Sequence, residues 1–315
     1  MATAAAGAAP AVRCQISDAR LAELSGLVAT GDQVLAVNDG GDQAAVQLLD
    51  AACQVVDEHT APVDPYDPED MALGADGTVW LADTGDNNVI RPTVALIALR
   101  PDGTTGVYRL SYPDGPHDAE ALLLAPDGTP YLVTKEVLGA SKVYRPEAAL
   151  VDAGTVALVE VAAVNLTLTG TPGGPVGRAG QLMITGGAVS GDGSRLALRT
   201  YTDAYVWPLV GSDVAGALAA APVRVPLPES PQGEAISFSA DGQQLLVASE
   251  GLPSNLTVVP LPAAVAAAPA TAAVGDVPSL TDLTRSGLSP ITSAIIAAMV
   301  ATVVVWIAGL VRRRP

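Results

Sequence analysis

The sequence predicts an all-β fold, a β-propeller, followed by one C-terminal transmembrane helix. The first observation is a recurring pattern. An acidic residue opens an apolar run, a turn containing Asp-Gly follows, and a second apolar run ends on polar residues. Residues 120–134 read EALLLAPDGTPYLVT, residues 69–83 read EDMALGADGTVWLAD, and residues 234–249 read EAISFSADGQQLLVAS. Residues 185–199 read TGGAVSGDGSRLALR, with Thr at the opening position. Residues 23–38 read ELSGLVATGDQVLAVN, with the turn altered to Thr30-Gly31-Asp32. The second observation is the spacing: the copies return after roughly 45–65 residues, which suits a propeller or another array of short strands. The third lies at the C-terminus. Residues 290–311 carry no charge, and Arg312, Arg313 and Arg314 follow at once. That length spans a bilayer as a helix, and the basic cluster marks its cytoplasmic end.

Composition bounds the function. The chain has 315 residues, 49% of them hydrophobic and only 16% charged, with 31 Gly and 25 Pro. That is ample for a large core in a single all-β domain. A net charge of −17 argues against a nucleic-acid partner and for cations or basic partners. Aromatic residues make up 3%, too few for an evident base- or sugar-stacking platform. There is no Walker loop, no G-x-S-x-G elbow and no G-x-G-x-x-G after a strand. The glycine-rich stretch 170–180 lacks the Lys and the helix that phosphate binding needs.

Taken in order, residues 1–10 form an Ala-rich disordered lead without the basic and apolar regions of a signal peptide. Residues 11–16 read as the strand that closes the ring against the last blade. Blades one to five open at Glu23, Glu69, Glu120, Thr185 and Glu234. A sixth, degenerate blade between residues 150 and 181 stays open. The propeller thus covers 11–262, an Ala/Pro-rich linker 263–289, the transmembrane helix 290–311 and a basic cytoplasmic tail 312–315. This order puts the propeller on the extracytoplasmic side of the cell membrane, which calls for a start upstream of Met1. The other reading is a tail-anchored cytoplasmic protein. Cys14 and Cys53 are the only cysteines, too few for a disulfide framework and wrongly spaced for zinc. They pair in an oxidising compartment, or stand as two separate thiols.

The repeat also says where function lies. The inner strand of every propeller blade lines the central channel, so Glu23, Glu69, Glu120, Thr185 and Glu234 converge on one channel mouth. The ends of the second strands add Asn38, Asp39, Asp83, Lys135, Glu136, Arg199 and Glu250 on that face. Carboxylates so close together cannot all stay ionised: either protons are retained or a cation sits among them. The expected ligand-binding set is Glu23, Glu69, Glu120, Thr185, Glu234, Lys135, Arg199 and Glu250. Hard oxygen donors suit Ca²⁺, with Glu23, Asn38, Asp39, Asp83, Glu120 and Glu234 as metal-ligand candidates. Internal compensation by Arg199 and Lys135 is the alternative, as is hydrogen bonding of the acids to backbone amides at blade junctions. His117 stands three residues before Glu120, and these two are the candidates for a catalytic base.

The segments ELSGLV, VNDGGD, LADTGDN, YPDGPHDAEALLL, YLVTKE, LALRTYTDAY and PQGEAI resemble a family of uncharacterised actinobacterial membrane-anchored β-propeller proteins. The resemblance covers about Cys14 to Pro262. It implies a secreted or membrane-anchored propeller and a Cys14–Cys53 disulfide, and it implies no activity. More distantly the architecture is similar to TolB-like propellers and to calcium-dependent lactonases of the gluconolactonase type. Those hold a metal through Glu, Asn and Asp, for which Glu23 and Asn38 could stand here.

The leading expectation is a membrane-tethered propeller that binds a ligand or protein partner, with a divalent cation, at an acidic channel mouth. A metal-dependent hydrolase of small esters, lactones or phosphate esters is the second. A purely structural or interaction scaffold is the third.

Overall fold

The computed structural model describes residues 9–266. Its strands form five four-stranded antiparallel units in chain order, which is a five-bladed propeller. Blade one comprises β2 (Leu24–Thr30), β3 (Gln33–Asn38), β4 (Ala44–Leu49) and β5 (Val55–Ala61). Blade two comprises β6 (Pro68–Leu73), β7 (Val79–Asp83), β8 (Val94–Leu99) and β9 (Thr105–Ser111). Blade three comprises β10 (Ala119–Leu124), β11 (Pro130–Thr134), β12 (Ala140–Pro146) and β13 (Thr155–Asn165). Blade four comprises β14 (Ile184–Val189), β15 (Arg195–Thr200), β16 (Asp203–Pro208) and β17 (Val223–Pro226). Blade five is β18 (Gly233–Phe238), β19 (Gln244–Ser249) and β20 (Ser254–Pro260), completed by β1 (Ala11–Ile16) from the start of the chain.

The sequence explains these units locally. In the turns between first and second strands, Asp76, Asp127, Asp192 and Asp241 each accept the amide two residues on. The glycine after each aspartate has φ between 67° and 83°, which an L side chain would strain. Blade one instead turns through Gly31 and Asp32 alone. No sixth blade lies between residues 150 and 181. That stretch supplies β13 and a loop, and β13 pairs in parallel with β9 to join blades two and three into an eight-stranded sheet.

Five apolar clusters fill the five seams between neighbouring blades, so the core is a ring. Ile97 and Met71 sit between blades one and two, and Leu96 and Leu122 between two and three. Leu123 and Trp207 sit between blades three and four, Val206 and Phe238 between four and five, and Leu27 and Leu246 between five and one. Each seam buries both faces of its sheets, which is why inner and second strands read as near-continuous apolar runs.

Ring closure is double. β1 pairs antiparallel with β20, and a disulfide joins Cys14 on β1 to Cys53 in the turn after β4. The linker expected from residue 263 begins differently, since α1 (Val214–Leu218) is followed in helix order by a short α2 (Ala263–Ala266). Val265 is buried and its carbonyl accepts from Arg195 Nε at 2.7 Å, so these residues belong to the propeller wall. The predicted transmembrane helix and basic tail lie outside the described residues. Among the described residues no helix is long and apolar enough to cross a membrane.

A disulfide across a sequence separation of 39 removes about 4 kcal/mol of unfolded-state freedom. Reduction, or the Cys14→Ser/Cys53→Ser pair, is expected to lower the melting midpoint by roughly 10 °C, measured by calorimetry with and without reductant.

Candidate functional site

Each inner strand enters the ring through a β-bulge at its first residues. The pairing steps from Pro68↔Asp83 to Asp70↔Ala82 in blade two, leaving Glu69 as the extra residue. The same step leaves Glu120 extra in blade three, Thr185 in blade four and Glu234 at the shift in blade five. In blade one the step runs from Leu24↔Asn38 to Gly26↔Val37, and the extra residue is Ser25. A bulge turns one side chain per blade out of the ladder. The tier is therefore Ser25, Glu69, Glu120, Thr185 and Glu234.

This corrects the place of Glu23. In blade one the acid stands two residues before the bulge position, which Ser25 occupies. Glu23 is exposed; its amide donates to Asn38 Oδ1 at 2.7 Å and its carbonyl accepts from Asp39 N at 2.7 Å. The carbonyls of Asp67, Asp118 and Gln232 accept the corresponding amides in blades two, three and five. Glu23 thus belongs to an outer tier with Asp67 and Asp118, two acids the repeat pattern did not single out because they precede its opening position.

The two hydroxyl positions of the inner tier are structural. Ser25 Oγ donates to Pro68 O at 2.8 Å, and Thr185 Oγ1 donates to Gly233 O at 2.9 Å. Each stitches its blade to the residue just before the next blade's glutamate. The three glutamates instead converge: Glu69, Glu120 and Glu234 are all buried, with carboxylate oxygens within 4.8 Å of one another. Asp39, Asp67 and Glu69 form a second triad under the same limit, so Glu69 belongs to both.

Their partners differ. Lys135 Nζ is pressed directly onto Glu120 Oε1, and it also faces the Tyr201 ring at 5.7 Å. Burial pushes the Glu120 carboxyl up while this ammonium pulls it down, and the contact favours the ionised pair. Burial alone would discharge Lys135, but Glu120 and Glu234 hold its ammonium above its usual range. Glu234 is pushed up to about 8 by burial and by its hydrogen bond to Glu250, and Gln232 Nε2 donates to it at 3.2 Å. Asp39 is pushed up to about 8 by burial and by its hydrogen bond to Asp67. Two carboxyl groups held this close and this buried favour retention of a proton on the raised member. Glu69 is 5% exposed and its carboxylate makes no hydrogen bond among the described residues; burial and the neighbouring acids push it well above the usual range.

Four expected site residues make their contacts outside the glutamate cluster. Asp83 Oδ1 accepts from the Tyr66 and Asp67 amides at 3.2 and 2.9 Å and pairs with Arg91 at 3.0 Å, so this oxygen is engaged with the loop. Asn38 is likewise tied to backbone, through Glu23 N and Asp39 O. Arg199 forms an ion pair with no carboxylate among the described residues; Nη1 donates to Ala235 O and Ala248 O at 2.8 and 3.0 Å. Burial lowers it to about 10, with Glu234 opposing. His117 lies in a separate cluster. Its Nε2 contacts Asp114 and the Tyr144 hydroxyl, each at 3.1 Å, and its Nδ1 is 3.9 Å from Glu136.

One residue hidden in the apolar run closes the channel beneath. Asp70 is fully buried and accepts from the amides of Met71, Leu122 and Gly187 at 2.8, 2.8 and 3.0 Å. The equivalent positions in the other blades are Gly26, Ala121, Gly186 and Ala235, all too small to reach the axis.

No family model matches the chain, and no curated protein matches it. Among solved structures the chain is similar to virginiamycin B lyase from Staphylococcus aureus, at 13% identity over 75% of this chain and 66% of that one, with a TM-score of 0.38. It is similar to a gluconolactonase from Xanthomonas campestris at 18% identity, over 76% and 72% of the two chains, with a TM-score of 0.44. It is also similar to the PQQ-bound aldose sugar dehydrogenase from Streptomyces coelicolor at 11% identity, over 81% and 99%, with a TM-score of 0.41. These are distant likenesses of fold, and no residue role carries across.

The raised carboxyls set the pH dependence of the ion-free protein. Glu234 and Asp39 keep protons up to about 8, whereas in the unfolded chain they ionise near their ordinary values of 4.5 and 3.8. Above those values the unfolded state binds fewer protons, so stability falls as pH rises. Melting midpoints in EDTA are expected to decline steadily from pH 5 to pH 8.5. A midpoint that rises over that range would contradict the protonated pairs.

Proposed function

We propose that the chain is a membrane-tethered, extracytoplasmic propeller that binds a divalent cation, and through it a ligand or partner, at this acidic end of the channel. The observation that carries the reading is Glu69, a largely buried residue whose carboxylate has no hydrogen-bond partner among the described residues and is shared by two acidic triads. Two oxygens bound to one Ca²⁺ at roughly 2.4 Å lie at most about 4.8 Å apart, the limit both triads meet. All the donors are oxygens, which favours Ca²⁺ over zinc or copper. Glu69, Glu120 and Glu234 would hold the ion from the inner tier, with Asp39 and Asp67 above. Binding would release the retained protons, so affinity rises with pH. The disulfide suits an oxidising, extracytoplasmic compartment, and the uncharged 290–311 stretch before three arginines suits the tether.

Binding is favoured over hydrolysis because the geometry spends the obvious base. His117 is hydrogen-bonded to Asp114 and Tyr144, and Glu120 is paired with Lys135. Metal-dependent hydrolysis of small esters, lactones or phosphate esters remains the competing outcome of the test.

The test is a calorimetric melt of the full chain in EDTA and then in Ca²⁺, at pH 7.5. An ion at 100 times its dissociation constant adds about 2.7 kcal/mol, or several degrees. The expected result is a Ca²⁺-dependent rise that Glu69→Gln abolishes while leaving the EDTA midpoint equal or higher. No rise with any divalent ion overturns the cation reading. Turnover of an ester, lactone or phosphate panel that dies with EDTA would replace binding by catalysis.

A further inference from the structure

Beside the acidic tier, between blades four and five, lies a cavity of about 600 Å³. Volumes of that order hold small organic ligands. Its lining includes Pro228, Pro231, Leu252 and Pro253, two carboxylates, Glu229 and Glu250, and one cation, Arg199. Arg199 is 1% exposed. Its Nε donates to Thr200 O at 3.2 Å and its Nη1 to two carbonyls, but Nη2 makes no hydrogen bond among the described residues. Nη2 lies against Gly233, where a Cβ would come within 2.1 Å of it, so a side chain there would displace the guanidinium. A buried cation bonded only to neutral carbonyls, with one donor nitrogen free and a cavity beside it, lacks its anion.

We infer that this cavity binds a small organic monocarboxylate with an apolar body, its carboxylate on Arg199 Nη2 and its body between the proline-rich loop 226–231 and the turn 251–253. Charge selects the class. A guanidinium with a single free nitrogen offers one charge-assisted N–H···O⁻ bond to a carboxylate oxygen, with no fork for a larger anion. The acids of the adjacent tier repel multiply charged anions such as phosphate. The apolar walls reward a hydrocarbon body. This inference rests on the reading of this face as a ligand-binding face, and it stands without the cation. A divalent ion on Glu234 and its neighbours would tighten it by neutralising the nearest negative charge, and by reciprocity the carboxylate would tighten the ion.

The test is ligand-observed NMR and calorimetric titration of the full chain with benzoate and 4-methylpentanoate, against benzamide and 4-methylpentanamide, in EDTA and again in Ca²⁺. Acids are expected to bind at least about tenfold more tightly than their amides, the size of one lost charge-assisted hydrogen bond. Arg199→Gln should erase that preference. Because Arg199 also holds two carbonyls, Ser230→Trp, which fills the cavity and leaves Arg199 in place, is the second variant and should weaken every acid at least about tenfold. Equal binding of acids and amides across the panel overturns the inference, as does acid binding that survives both variants. Benzoate binding without Ca²⁺ binding would sink the cation reading and leave this one standing. Ca²⁺ binding without any acid preference would sink this one alone.

Discussion

Crowding at the channel axis is the constraint on which the rest of the structure depends. Five inner strands must approach one another closely enough that a side chain added at Gly26 would meet Met71 N at 2.8 Å, and one added at Gly186 would meet Glu234 O at 2.4 Å. Small residues at those positions let the strands close, and one longer residue, Asp70, fills what remains. Its carboxylate ties blades two, three and four together through main-chain amides that face the axis. An unpaired amide there would cost free energy comparable to a lost hydrogen bond, because no water reaches it. The bulges one residue earlier follow from the same crowding. They end the ladder before the strands collide and turn one side chain per blade into the opening.

That geometry splits the tier into two kinds of residue. Where the bulge carries Ser or Thr, the hydroxyl bonds the neighbouring blade and the junction is satisfied. Where it carries Glu, the side chain is too long for that bond and its charge is driven towards the other glutamates. One is paired with Lys135, one is pushed up by burial and by Glu250, and one has neither partner. Bond-making residues alone would have served a structural ring. The glutamates burden the fold at neutral and alkaline pH, a local cost that structure alone does not repay.

Much of this was legible in the sequence. The repeat gave the blades and their turns because Asp and Gly at fixed offsets have one local use, and the glutamates came out at one end of the channel because the period carries position. The exceptions have physical causes. Blade one saves one residue in its turn and carries its acid two residues before the bulge, so Ser25, not Glu23, holds the inner-tier place. Asp70 was invisible because a polar residue in an apolar run announces nothing about the amides it will meet. Asp67 and Asp118 sit outside the repeated run, yet main-chain pairing brings them over it. Arg199 was read as the counter-charge of the acids, whereas β15 points it across the seam into blade five.

The parallel pairing of β13 with β9 has a mechanical consequence. It closes the seam between blades two and three with directional main-chain bonds, while the seam between four and five holds by packing and by side chains that reach main-chain carbonyls, Arg199 and Thr185 among them. Hydrogen-bonded sheets open cooperatively, whereas packed faces slide by small increments. Breathing of the ring is therefore partitioned unevenly: two blades move as a single stiff plate, and the compliance falls on the other seams, including the one that opens onto the cavity.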